Sequence, residues 1–190
     1  MGHSQADKAN SRERILKEAA TQIRAGGLAS ISVGKLMRSV NLTHGGFYGH
    51  FASSSELLSE AIELALSEGE LKGAAADAGK TRGYSTMVRG YLSRTHRDSR
   101  ETGCAIAALA SEVSRSDEGT RSVMESHVES FIANIARTLN TENDEDAMVA
   151  VSAMIGALTL SRVFTDTKRS DALLRVVRDH VLALNLKDQD

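Results

Sequence analysis

From Ser32 to Phe51 the chain reads SVGKLMRSVNLTHGGFYGHF. Three of its seven aromatic residues, Phe47, Tyr48 and Phe51, fall in the last five positions of that stretch. Phe47 and Phe51 are four apart, so on a helix they share a face and can anchor it to a core. Tyr48 and His50 then point elsewhere and carry polar tips. Gly45, Gly46 and Gly49 each cost about 1 kcal/mol in a helix relative to alanine. They also leave a bare surface that lets the backbone approach a nucleic-acid groove closely. The chemistry offered here is recognition. Covalent chemistry has less support: no nucleophile–base pair or phosphate loop can be named, and a helical enzyme would need a site assembled from distant residues. The six histidines include no i,i+4 pair and no cysteine or carboxylate arranged as a ligand set, so neither metal nor cofactor is expected.

The elements that position these residues follow from helical spacing. Ile15, Leu16, Ala19, Ala20 and Ile23 make one apolar face, with Ser11 as a cap and Gly26-Gly27 as a stop. Ser32 opens a short second helix with Leu36, Met37 and Val40 inward. Asn41 stands where a left-handed turn is wanted, and Thr43 opens a third, very short helix ending near Phe51. Two short helices joined by a tight turn form a helix-turn-helix layout, whose second helix enters the major groove of DNA. Ser53 caps a fourth helix, which is expected to stop among Gly69, Gly73, Gly79 and Gly83. Further helices are predicted around Met87–Leu92, over Cys104–Val113, from Ser116 to Leu139, from Asp144 to Phe164 behind a Thr141/Asp144 capping box, and over Leu173–Leu184. No strand pattern competes, so the expected fold is all-α with about nine helices.

Composition agrees. In 190 residues there is no proline, where average usage of about 5% would give roughly nine or ten. Hydrophobic residues make up 41% and charged residues 25%, which excludes a disordered or fibrous chain. Net charge is −2, unevenly spread: residues 1–55 hold seven Lys+Arg against three Asp+Glu, and residues 56–190 hold sixteen against twenty-two. A basic head on an acidic body points to an anionic partner for the head. The longest apolar run, Ala147–Leu160, is too short to span a bilayer, and no leader is visible, so a soluble cytoplasmic protein with no membrane partner is expected.

The residues from Ile15 to Leu57 resemble the TetR family of transcriptional repressors. The matching features are Ser32-Val33 opening helix two, Leu42-Thr43 opening helix three, then Gly45, Phe47, Tyr48, His50 and Phe51, and finally Ser53 and Leu57. Two positions depart from the pattern: the usual lysine after Ser53 is Ser54, and the usual turn glycine is Asn41. Losing that lysine predicts weaker, less salt-dependent binding, at roughly 0.9 in salt slope per phosphate contact. The resemblance implies that Ser32, Lys35, Tyr48 and His50 contact phosphates, while Thr43, His44 and Gly45 face base edges. It implies a DNA-binding domain over 1–55 and a ligand-binding and dimerisation domain over 56–190. It also implies a homodimer on a palindromic operator, released when a small-molecule effector favours the conformation that does not bind DNA.

In the body, Met87, Tyr91, Met124, His127 and Phe131 can line a ligand cavity, though the same spacing also makes plain core. Cys104, the single cysteine, follows Gly103 at a helix start, where backbone N–H groups would favour a thiolate. Cys104 therefore joins the ligand set and carries an alternative function, thiol or redox sensing; a buried small hydrophobe is the other reading. A third alternative is an interaction module without DNA binding. For the dimer, Ala150, Ala153, Ala157 and Ser161 line one face of helix eight, with Gly156 beside it. A helix apolar on nearly all sides must be buried on nearly all sides, so the expected interface comprises these residues with Leu160, Val177 and Val181.

Overall fold

A computed structural model describes residues 5–75, 83–139 and 144–184. Among the described residues the fold is all-helical, with no strand. Its α-helices are α1 (Gln5–Gly26), α2 (Val33–Ser39), α3 (Ser54–Ala75), α4 (Tyr84–Tyr91), α5 (Arg94–Asp98), α6 (Ala105–Val113), α7 (Glu118–Leu139), α8 (Glu145–Ser161) and α9 (Thr167–Leu184). Three 3-10 segments join them: Leu28–Ser30, His44–Gly49 and Arg100–Thr102.

Two cores divide the apolar side chains. The first gathers α1, α2, Phe47, Phe51, α3 and α6, and reaches Met124 on α7. The second gathers α4, the later turns of α7, α8 and α9. Val128, Phe131 and Ile155 pack against both, so a seam between the cores runs along α7 and α8. No helix among the described residues is long and apolar enough to cross a membrane.

Several boundaries differ from the sequence expectation. α1 begins at Gln5, so Ser11 lies inside the helix instead of capping it. α3 runs to Ala75, within the Gly69–Gly83 stretch expected to end it. α8 stops at Ser161 and α9 starts at Thr167, ahead of the Leu173 that marks its first strong apolar position. Thr141 and Gly79 lie outside the described residues, and Asp144 holds the N-cap position without a side-chain bond. Ser53 caps as expected and does more: its hydroxyl accepts from Glu56 N–H (3.1 Å), while the Glu56 carboxylate accepts from Ala52 N–H (2.6 Å). The first bond satisfies one free N–H of the opening turn, and the second ties the residue before the cap to the same turn.

Candidate functional site

α2, the turn and the His44–Gly49 segment form one projecting unit. Asn41 adopts φ 59°, the left-handed turn its position calls for. The second element is 3-10 and not α-helical. Its three glycines each cost about 1 kcal/mol, against about 1.5–3 kcal/mol gained by each buried phenylalanine, so the aromatic anchor outweighs about two of them and holds the segment in place. Phe47 and Phe51 are both 1% exposed, with ring centroids 5.6 Å apart. Arg12 of α1 lies over the Phe51 ring at 4.6 Å, donates to the His50 carbonyl and pairs with Glu60 of α3. Arg14 donates to the Val40 carbonyl at the end of α2. Neither arginine stands out in the sequence, yet together they tie α1 to both reading elements.

All seven residues expected to meet DNA lie on this unit. Ser32, Lys35, Thr43, His44, Gly45 and Tyr48 are exposed, and His50 is half-buried. Tyr48 is 71% exposed, its ring edge-on to Phe47 at 5.3 Å. Ser32 and Thr43 occupy N-cap positions, but neither side chain makes a cap bond. A Cβ at Gly45 or Gly49 would meet nothing within 4 Å, so the backbone is bare on the outer side. Burial lowers the His50 pKa, and Lys8 and Arg12 lower it further; its Nδ1 is buried without a hydrogen-bond partner.

The six ligand candidates distribute around the seam. Met124 lies in the first core, and Met87 and Tyr91 pack against the second. Phe131 reaches both cores and lies 5.5 Å from the Tyr91 ring. Half-buried His127 turns toward α3, with Nε2 3.8 Å from Glu63. Cys104 caps α6, its sulfur accepting from Ala107 N–H at 3.5 Å. The Tyr91 hydroxyl is buried, faces Cys104 without an aligned hydrogen bond, and has its pKa held well above the usual value by burial first and Cys104 next.

His96, absent from the sequence-based set, completes this cluster. Its Nε2 accepts from Cys104 N–H (3.0 Å), which leaves Nδ1 to donate to the Tyr91 carbonyl (2.8 Å). The two partners fix a neutral tautomer. Burial lowers the His96 pKa, the Tyr91 carbonyl raises it in part, and Arg162 lowers it. Arg162, at the end of α8, donates to the carbonyls of His96 (3.2 Å) and Arg97 (3.1 Å). Buried Arg97 in turn donates to Ser170 (2.8 Å) and Asp171 (2.7 Å) of α9. On the opposite side, Arg24 of α1 is 5% exposed, donates to the Glu101 carbonyl (2.6 Å) and pairs with Glu68 (2.8 Å). Glu112 of α6 accepts from Leu28 N–H at 3.0 Å, beside Gly27 at φ 79°, where a Cβ would come within 2.5 Å of the carboxylate. The segment 94–112 is thus bonded to α1 and the Leu28–Ser30 turn on one side and to α8–α9 on the other.

The residues expected at the dimer interface separate into two groups. Ala150, Ala157, Ser161 and Val181 are buried within the single chain, Ala153, Gly156 and Val177 are half-buried, and Leu160 is exposed. The small residues of α8 let α9 pack closely, and Ser170 Oγ donates to the Ser161 carbonyl at 2.7 Å across that contact. What α8 presents outward is Met148, Val149, Leu160 and the following Val163 and Phe164, with Val176 of α9 also exposed.

The family described as "Transcriptional regulator LmrA/YxaF-like, C-terminal domain" matches residues 82–180, just over half of the chain. No curated protein sequence matches. Among solved structures, a TetR transcriptional regulator from Chloroflexus aurantiacus is similar at 20% identity and TM-score 0.80, covering 96% of this chain and 98% of that one. A TetR-family regulator from Cytophaga hutchinsonii is similar at 19% identity and TM-score 0.76, with the same coverages. The reduced form of NemR from E. coli is similar at 20% identity and TM-score 0.74, covering 90% of this chain and 95% of that one. These structures share the fold, and the family match covers the body. The chain belongs to the TetR family of transcriptional regulators, a family of regulators and not of enzymes.

Proposed function

We propose that this regulator is a cytoplasmic homodimeric repressor that holds a palindromic operator and releases it when a small-molecule effector binds. The observation that carries the DNA reading is Tyr48: a large aromatic ring 71% exposed to solvent, seated on a buried Phe47–Phe51 pair and flanked by bare glycine backbone. A tyrosine usually buries most of its ring, so a rigidly based, exposed one serves a partner. In residues 1–55, Ser32, Lys35, Tyr48 and His50 grip phosphates and Thr43, His44 and Gly45 meet base edges. The exposed apolar face of α8, Met148, Val149, Leu160 and Val163, meets its copy across a two-fold axis. The effector occupies the seam beside Met87, Tyr91, Phe131 and Met124, with His127 at its α3 side and Cys104 at its α6 end. Filling it shifts α6 and the Arg100–Thr102 turn before it, which the Glu112–Leu28 and Arg24–Glu101 bonds connect to the end of α1 and the Leu28–Ser30 turn ahead of α2. The test is selection of bound fragments from sheared genomic DNA of the source organism. The reading predicts an enriched near-palindrome with half-sites about one helical turn apart or a longer spacing of the same symmetry. Fragments without symmetry or enrichment contradict it.

A second reading concerns the effector's chemistry. The Cys104 thiol stands at the α6 cap beside the buried Tyr91 hydroxyl, a position at which a thiol-reactive effector would disturb the same helix. Cys104→Ser separates the two: it abolishes release by a thiol-reactive compound and leaves release by a non-covalent effector intact.

A further inference from the structure

Between α5 and the first half of α9 lies an open groove of about 680 Å³, within the size range of small-molecule sites. Buried Leu92 and Leu174 contribute its apolar floor. Four cations line it, Arg94, Lys168, Arg175 and Arg178, against the single acid Asp171. That acid is already engaged. One of its oxygens accepts from buried Arg97 at 2.7 Å, and Arg94 stands 3.7 Å from the other. Lys168 and Arg175 are exposed and hold no ion pair among the described residues. The Arg178 Nε is buried without a hydrogen bond, its neighbour Asp179 lying 3.5 Å away.

Like charges gathered in one groove repel, and no protein carboxylate in it is free to offset them. An anion placed there relieves that repulsion and meets Lys168 and Arg175, which have no acid paired with them among the described residues. Guanidinium groups meet phosphate oxygens in paired hydrogen bonds, which favours phosphate over a spherical anion. With Arg94 beside Asp171 and Arg178 beside Asp179, the two uncompensated charges of Lys168 and Arg175 call for a ligand with at least two negative ones. The leucine floor beneath gives an organic portion somewhere to rest. We propose that this groove binds a small organic phosphate carrying two or more negative charges, as a ligand site separate from the aromatic seam.

Isothermal titration calorimetry of the full chain tests this with ATP and with inorganic pyrophosphate, at about 0.15 M salt, where surface charge is largely screened. The expected result is saturable binding of ATP, one per chain, tighter than that of pyrophosphate. Arg175→Glu and, independently, Lys168→Glu weaken it at least about tenfold. Both residues are exposed, so both variants keep the wild-type melting temperature, and Arg137→Glu on the outer face of α7 leaves ATP affinity unchanged. The absence of saturable binding overturns the proposal. Equal weakening by Arg137→Glu overturns it too, because general surface charge then explains the signal. Pyrophosphate binding as tightly as ATP removes the role given to the leucine floor. Duplex DNA that loses affinity for Arg175→Glu, with ATP giving no heat, replaces the small ligand with a nucleic-acid contact. Calorimetry with these probes needs no operator, so its failure leaves the DNA reading standing, and failure of that reading leaves the groove untouched.

Discussion

His96 joins two helices through two hydrogen bonds that only its neutral form makes together, from Cys104 N–H to Nε2 and from Nδ1 to the Tyr91 carbonyl. Protonating Nε2 removes the acceptor and leaves Cys104 N–H without its partner. The folded-state pKa is lowered by burial, so below about pH 6.5 the unfolded chain binds a proton the folded chain refuses. Stability is therefore full above the unfolded pKa and is lost as pH falls from there through the folded pKa. His50 is lowered in the same direction and adds to the trend. His96→Gln isolates the residue: its melting temperature should fall less than that of the wild type between pH 7.5 and pH 5.5, and equal falls would remove His96 from the account. This residue could not be found from sequence. Histidine at position 96 sits in the polar run Arg94–Asp98, and only the chain's return from Tyr91 to Cys104 gives it two partners.

Elements differ in how openly the sequence declares them. The Ser53 cap on Glu56 N–H is local, and the serine announces it directly. Ser53→Ala removes one cap bond and should cost about 1 kcal/mol, read by urea or thermal unfolding, with no loss of helical signal at 25 °C. A cost near zero would mean that the first-core packing of Leu57 and Ala61 fixes the start of α3 by itself. The reading unit was legible for the same reason: cap, apolar spacing, left-handed Asn41 and the Phe47–Phe51 pair all lie within one short stretch. Its 3-10 winding was not, because spacing shows which residues share a face but not how tightly a glycine-rich turn closes. α5 was invisible. Arg94–Asp98 has no apolar period, and its helix depends on the Ser93 cap and on Arg97 bonding to Ser170 and Asp171, more than seventy residues away. In α8 the sequence shows apolar residues on nearly every face and so cannot say which face stays inside. The small residues turned out to serve the close contact with α9, leaving the larger Val149 and Leu160 outside.

At the scale of the molecule, two cores meet at a seam, and segment 94–112 is bonded to the DNA-reading side and to α8–α9. Among the described residues, apolar side chains on and just after α8 stand open to solvent: Leu160 is 55% exposed and Val163 72%. Placing a charge among them should block association while leaving the monomer's cores intact, since these side chains contribute little to either. In the proposed homodimer, Leu160→Asp is thus expected to lower the sedimentation coefficient to that of a monomer, with helical content unchanged. Dimeric Leu160→Asp would move the interface elsewhere. The central claim is that an exposed surface around Tyr48 reads DNA. Fluorescence anisotropy on a selected operator fragment, with wild type and Tyr48→Ala compared over a salt titration, tests it most directly. The account predicts at least about a tenfold loss of affinity, a salt slope smaller by no more than about 0.9 and an unchanged melting temperature. Unchanged affinity and slope in a folded Tyr48→Ala would contradict it.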